Sequence, residues 1–382
     1  MPNTLKSMIC SGVRRLSGAA FVFAILTTYA AQPAFADPLS GDTLNTTLDN
    51  AANDENPLGF GQGSFVVAPV PFKNVLIGGG LVLGGGYLFN IDEGSDTSVI
   101  GIGGLRSENG TNAFGLGGKL VFDQNRWQLS ASLGQAEGFY DLYVGGIPVP
   151  VRQTGDVFNL SVLRGVTSEL LFGAGVRYLD TTLGYGGSGG GLPPLPESQL
   201  RVALFNLLAK WDTRDDSFSA RSGNLLEGTL SYGEVLDSSN RAFQRAIVTY
   251  NRYLPVGAQN AVALRLAACT NSTSTPFFDK CSLGGTDAFR GFSPTEFLND
   301  ALLSAQLEYR QQIGSRFGAV LFAGAGNTAA NFADLSDTDF RYAGGLGLRF
   351  QLSKKFKATL SLDASINDRD EDLLYIYVGQ RF

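Results

Sequence analysis

From Lys355 to Asn367 the chain alternates without a break. Lys355, Lys357, Thr359, Ser361, Asp363, Ser365 and Asn367 are polar, and Phe356, Ala358, Leu360, Leu362, Ala364 and Ile366 between them are apolar. A period of two belongs to a strand with one wet and one greasy face. The period returns over 341–352, where Arg341, Arg349 and Gln351 oppose Tyr342, Leu346, Leu348, Phe350 and Leu352. It returns again over 303–312, where Ser304, Gln306, Glu308, Arg310 and Gln312 oppose Leu303, Ala305, Leu307 and Tyr309. A shorter run sets Glu227, Thr229 and Ser231 against Leu226, Leu230 and Tyr232. The longest three stretches run 10 to 13 residues. Soluble strands average about 5–6 residues, whereas tilted membrane strands need about 9–11. Helix-period stretches are almost absent. In lipid every backbone N–H and C=O must be paired, so such strands must close on themselves. The expected fold class is all-β, a transmembrane antiparallel β-barrel with its apolar face to lipid and its polar face to the lumen.

Composition narrows the chemistry. The 382 residues include no histidine, which removes Ser-His-Asp catalysis and His-ligated zinc. Barrel lipases, acyltransferases and proteases rely on histidine, so the chain reads as a non-enzyme without metal or cofactor. A formal net charge of −6 argues against a nucleic-acid partner. The glycine runs Gly78 to Gly80 and Gly84 to Gly86 look superficially like phosphate loops, but no helix pattern follows them. Asp212, Asp215 and Asp216 could hold calcium; the plainer reading is a strand end balanced by Arg214.

The chain divides into three parts. Residues 1–36 read as an export signal: Lys6, Arg14 and Arg15 precede the apolar run Ala19 to Leu26, and Ala34-Phe35-Ala36 is a small-x-small cleavage site. Residues 37–63 read as a periplasmic linker or plug segment, and 64–382 as the barrel. The expected location is the bacterial outer membrane. About fifteen strand-like segments fall between Val75 and Phe382. Barrels of this kind take even numbers, which implies sixteen with one missed or merged. The stretch 127–154 could hold one strand or two. Short turns (123–126, 313–316, 353–354) alternate with long Gly/Pro/Ser-rich connections (183–198, 271–299, 327–340). The alternating end, with Tyr375, Tyr377 and Phe382, reads as a last barrel strand whose even positions face lipid.

Two motifs carry a resemblance. Leu283-Gly284-Gly285-Thr286-Asp287-Ala288-Phe289-Arg290-Gly291-Phe292 lies in the long connection after about ten strands, with five strands after it. Upstream, Trp211-Asp212-Thr213-Arg214-Asp215 precedes Phe218 and Gly223-Asn224. The chain resembles the BamA/TamA superfamily of outer-membrane assembly barrels, also called the bacterial surface antigen family, from roughly Ser64 to Phe382. The resemblance implies sixteen strands, a long loop folded into the lumen, and Arg290 docked on an inward-facing acid. It also implies protein insertion or transport as the activity.

The sequence departs from the family pattern twice. Only the 27 residues 37–63 stand where periplasmic POTRA domains are expected, and a domain needs at least about 50. The usual aromatic-x-Asp-x-Gly stretch reads Phe322-Ala323-Gly324-Ala325-Gly326, with glycine in place of the acid. Among inward-facing acids, Glu308 and Asp363 are the candidate partners of Arg290.

Three further expectations follow. Gly78 to Gly80 and Gly84 to Gly86 fall in what reads as the first strand. They would either weaken its pairing with the last strand, like the lateral gate of this superfamily, or relieve crowding at a bend. Cys269 and Cys281 could pair in an oxidising compartment and staple the loop, closure of which is worth about 3 kcal/mol; the alternative is two free thiols. The function expected is help with insertion or translocation of protein or lipid. Its partners would be outer-membrane lipid, outer-membrane protein substrates or a separate POTRA-bearing subunit. The alternative is a passive diffusion channel or structural barrel.

Overall fold

The computed structural model describes residues 60, 63–187, 197–216, 219–237, 241–285, 289–351 and 359–382. The expected signal segment 1–36, most of the linker 37–63, the 353–354 turn and the alternation over 355–358 lie outside them. Sixteen strands close into one antiparallel barrel. In chain order they are β1 (Ser64–Asn74), β2 (Gly78–Phe89), β3 (Ser98–Ser107), β4 (Asn112–Phe122), β5 (Trp127–Val144), β6 (Ile147–Gly165), β7 (Leu170–Tyr185) and β8 (Ser198–Asp212). They continue as β9 (Gly223–Val235), β10 (Arg241–Val256), β11 (Asn260–Asn271), β12 (Ala301–Ile313), β13 (Phe317–Ala329), β14 (Arg341–Gln351), β15 (Thr359–Asn367) and β16 (Asp372–Val378).

Fifteen of these strands lie after Val75, so the strand missing from the sequence count is β1. Its Pro69 and Pro71 make it read as a non-strand, because proline cannot donate to a ladder. It is nevertheless paired along its whole length, from Ser64↔Leu88 to Asn74↔Gly78. The expectation that the glycine runs belong to the first strand is therefore corrected: they lie in β2. The stretch 127–154 holds two strands. Gly145 (φ 59°) and Gly146 (φ 82°) turn β5 into β6, a two-residue hairpin that needs the left-handed region at both positions. β5 outruns β4, whose pairing with it ends at Asn112↔Glu137, so the β5–β6 hairpin projects beyond the barrel wall.

The faces sort by the parity read from the sequence. Leu303, Leu307, Leu346, Leu348, Leu362 and Ile366 point outward and are exposed, while Ser304, Gln306, Glu308 and Arg310 are buried in the lumen. Water is absent outside the wall, so the exposed apolar band is what lipid requires. At the rim where the described chain begins and ends, outward aromatics gather: Phe65 against Tyr87, Phe122 against Trp127, Phe317 against Phe350. Such a girdle sits at a membrane–water interface. The opposite rim carries the long connection 272–300. That rim is uneven, since β1–β2, β3–β4 and β5–β6 are joined there by tight turns.

Closure between first and last strands is thin. β1 meets β16 at a single pair, Lys73↔Ile376, whereas β15 and β16 share seven pairs, from Leu360↔Val378 to Ile366↔Asp372. The last strand ends at Val378. Tyr375 and Tyr377 point into the lumen and Leu374 outward, in line with their parity. Phe382 does not continue this pattern. Gly379 (φ 104°) turns the chain off the strand, and Phe382 packs inside the barrel near Ala220, Tyr253 and Ala263. The expected lipid-facing terminal phenylalanine is corrected to a lumenal one.

Candidate functional site

The site is the connection 272–300 and the lumen wall that receives it. The segment leaves β11 at Asn271, makes a 3-10 turn at Phe277–Asp279, pairs Cys281–Ser282 with Leu298–Asn299, and rejoins the wall at β12. Cys269, on β11, and Cys281 form a disulfide with Sγ atoms 2.01 Å apart. Beside it Lys280 Nζ donates to Asp300 Oδ1 at 2.6 Å. The loop root is thus held covalently and by charge. Leu283, Phe289 and Phe292 of the loop form one buried apolar cluster with Leu302 of β12, Ala343 of β14 and the two cysteines.

Arg290 enters the lumen from this loop. Its Nη1 donates to Asp363 Oδ2 at 2.7 Å, its Nη2 to Glu308 Oε2 at 2.5 Å, and its Nε to Gln306 Oε1 at 3.4 Å. The guanidinium lies 3.8 Å from the centroid of the Phe322 ring, in cation–π range. Glu308 also accepts from Arg310 Nε at 2.7 Å. Asp363 also accepts from Arg349 Nη1 at 2.5 Å and from the Tyr377 hydroxyl at 2.6 Å. Burial disfavours the charge on Arg290, but the facing Glu308 and Asp363 carboxylates outweigh it and hold the guanidinium ionised above its ordinary range. The result is a buried network of three arginines on two carboxylates, in which each acid is shared.

Gly291, the next residue, has φ 121°, and a Cβ there would lie 2.2 Å from the Cβ of Ala343. Only glycine fits both the backbone and the space. Its N–H donates to the Tyr375 hydroxyl at 3.1 Å, and its carbonyl accepts from Asn367 Nδ2 at 2.9 Å. The loop therefore touches the last two strands as well as β12.

The family's missing acid has a steric explanation. A Cβ at Gly324 would fall 2.1 Å from Phe289 Cε2 and 2.6 Å from Gln306 Cγ. The space an aspartate would occupy is filled by the Phe289 ring, and the carboxylates come from neighbouring strands instead. Gly324→Ala is expected to displace Phe289 at an overpacking cost of about 1–3 kcal/mol. Limited proteolysis of 272–300 should then speed up in Gly324→Ala and slow only in part in Gly324→Ala/Phe289→Leu, because the new methyl still crowds the Ala305 carbonyl oxygen 2.6 Å away.

Other anchors were not singled out in the sequence. Arg177, on β7, contacts Asp279 of the 3-10 turn, and neither side chain has any exposure. Thr295 Oγ1 donates to the Asp141 carbonyl at 2.6 Å, and the Tyr143 N–H reaches the Thr295 carbonyl at 3.4 Å, which ties the loop to the projecting β5–β6 hairpin. A lone arginine in a strand and an aspartate in a loop carry no pairing signal until the loop is known to turn inward. Asp212, at the end of β8, takes two hydrogen bonds from the Arg214 guanidinium, and Asp215 accepts from the Arg221 and Ser222 N–H groups. These acids have protein partners and cap the strand end.

Comparison with known proteins places this geometry. Residues 199–382 match the Omp85 superfamily domain. Among solved structures, the chain is similar to BamA from Haemophilus ducreyi lacking POTRA domains 1–3, at 14% identity and a TM-score of 0.59, over 83% of this chain and 70% of that one. It is similar to CdiB from Acinetobacter baumannii at 11% identity and a TM-score of 0.54, over 82% of this chain and 59% of that one. CdiB from Escherichia coli gives 12% identity and a TM-score of 0.52, over 89% and 74%. Identities this low speak for the fold alone. A comparison with curated protein sequences gives no match. With the sixteen-stranded closed barrel and the matched domain together, the chain carries an Omp85 superfamily domain over residues 199–382 and is a bacterial outer-membrane β-barrel.

Proposed function

We propose that this barrel aids insertion or translocation of protein or lipid at the outer membrane, and that the β1–β16 seam is where the cargo engages it. The observation that carries the reading is the poverty of that seam. In a strand, alternate residues turn their N–H and C=O to opposite neighbours. β1 pairs with β2 along its whole length although Pro69 and Pro71 have no N–H, so its odd positions turn toward β16, where Lys73 pairs with Ile376. Continuing the register sets Pro71 across from Val378 and Pro69 across from Gln380. Neither proline has an N–H to give. The wall elsewhere is a full ladder, and here it has one pair.

An edge that lacks the donors of Pro69 and Pro71 leaves fewer unpaired N–H groups in lipid than an ordinary edge, and each such group would be costly in hydrocarbon. The seam can therefore part at a lower desolvation cost than the full ladders elsewhere in the wall. The docked loop supports the same reading, since it fills lumen that a wide diffusion channel would leave open.

Lys73→Cys/Ile376→Cys places two thiols on a hydrogen-bonded strand pair, where Cα atoms stand about 5.5 Å apart, within disulfide range. The oxidised variant in liposomes is expected to lose its acceleration of the folding of a second outer-membrane protein, and reductant should restore it. Equal rates in oxidised and reduced forms would remove the seam from the mechanism. Activity only when a periplasmic fraction is added would favour a separate POTRA-bearing subunit as partner.

A further inference from the structure

We propose that the two inserts that enter the lumen from opposite rims, the loop 272–300 and the β8–β9 turn 213–222, are coupled through one carboxylate, Glu308, so that release of either loosens the other. The proposal concerns the barrel interior and stands whether or not the barrel assists insertion.

The β8–β9 turn belongs to the rim where the described chain begins, yet part of it enters the lumen. Ala220 is 3% exposed and packs with Tyr253 of β10 and Ala263 of β11, which are also buried. Its carbonyl accepts from Arg310 Nη1 at 3.3 Å. The turn is tied to itself: Asp215 Oδ1 accepts from the Arg221 and Ser222 N–H groups at 2.9 and 3.1 Å, and the Asp215 N–H donates to the Ser222 carbonyl at 3.2 Å. From the other rim, the loop brings Arg290 down to the same strand.

The inserts meet on β12, at side chains two positions apart that share the lumenal face. Glu308 gives one oxygen to each side. Its Oε2 accepts from Arg290 Nη2 at 2.5 Å, and its Oε1 from Arg310 Nε at 2.7 Å. Arg310 holds the turn with a different nitrogen, while its guanidinium lies 5.5 Å from the Tyr253 centroid. The path from turn to loop therefore runs Ala220 carbonyl, Arg310, Glu308, Arg290, with no step longer than 3.3 Å. Arg310 also has a second arrangement within reach. Its Nη2 has no hydrogen-bond partner, and Nε with Nη2 forms a fork that fits both oxygens of a carboxylate. When Arg290 leaves, Glu308 Oε2 is open to that fork, and turning toward it draws Nη1 off Ala220. When the turn leaves, the same rotation sets Arg310 against Arg290 for Oε2 and weakens the loop anchor. Two discrete arrangements of one side chain, each biased by one insert, are what coupling requires.

The test uses the full chain with Cys10→Ser and Ala220→Cys, refolded in detergent. Cys269 and Cys281 are joined, so the new thiol alone reacts with a maleimide, and its labelling rate reports opening of the turn. Arg290→Ala is expected to raise that rate at least about fivefold, the low end for coupled sites. Asp215→Ala, which opens the turn from within, should raise both the labelling and the proteolysis of 272–300, because coupling is reciprocal. With Arg310→Met both cross-effects should vanish, while the Arg290–Asp363 bond still anchors the loop. Heat-modifiable migration checks the wall of each variant. If Arg310→Met does not fold, Arg310→Lys serves, since one ammonium cannot reproduce the guanidinium's hold on Ala220 and Glu308 together. Labelling in Arg290→Ala within about twofold of the parent, well short of a coupled response, would overturn the proposal, as would a loop indifferent to Asp215→Ala. So would cross-effects that persist undiminished after Arg310 is replaced, which would mean a general loosening of the lumen.

Discussion

Arg290→Ala is expected to release the loop while leaving the sixteen-stranded wall intact. The substitution strands Glu308 and Asp363, both without exposure, in a lumen from which their shared counter-charge has gone. Removing one member of a buried ion network costs about 3–5 kcal/mol, which lowers the docked-to-undocked ratio of the loop by about two to four powers of ten. Arg310 and Arg349 remain and soften the loss, since each still serves one acid. Arg290→Lys should not rescue it. A single ammonium cannot meet Asp363, Glu308 and Gln306 at once, nor lie flat on Phe322. The measurement is paired: circular dichroism and heat-modifiable migration for the wall, proteolysis of 272–300 for the loop. A variant whose loop stays as protected as the original would show that Phe289, Phe292 and the disulfide hold the segment without the arginine.

The same site shows how far sequence reasoning reaches. Which acids face the lumen is legible, because parity in 303–312 and 355–367 assigns every side chain to a face once one face is known to meet lipid. Glu308 and Asp363 could therefore be named. That one arginine would meet both, and that Arg310 and Arg349 would share them, depends on how two strands separated by β13 and β14 come together across the lumen, and no local pattern encodes that. Gly324 was visible only as an anomaly. Its cause, the Phe289 ring, comes from a loop some thirty residues earlier. β1 was hidden because its prolines, read locally, deny a strand. They are compatible with one here because their N-facing edge lies on the seam. Phe382 misled for a related reason: alternation to the last residue looks like a strand, but a strand persists only while a neighbour offers donors, and Pro69 and Pro71 withhold them.

A second large effect is expected at Arg177 and Asp279, which bridge β7 to the 3-10 turn at the loop root. Asp279 Oδ1 and the Nε and Nη1 of Arg177 have no other hydrogen-bond partner among the described residues, so each charge depends on the other. Arg177→Met alone leaves a fully buried aspartate unpaired and should cost about 3–5 kcal/mol of loop docking. The double variant Arg177→Met/Asp279→Leu removes both charges from a surrounding that already includes Leu179, Leu204 and Phe278, and should be close to neutral or stabilising. A double-mutant cycle on urea-induced loop release separates the two cases. Strong coupling, with the double variant near the original, means that the pair fixes where the loop docks more than how tightly. Additive losses would mean instead that Arg177 and Asp279 each make independent contacts, and that the disulfide and Arg290 alone set the position of the loop. The distinction matters for the seam. A loop pinned at Arg177 on one side and at Asp363 on the other spans the lumen from β7 to β15, and freeing either end should uncover the inner face of the seam while the sixteen strands stay paired.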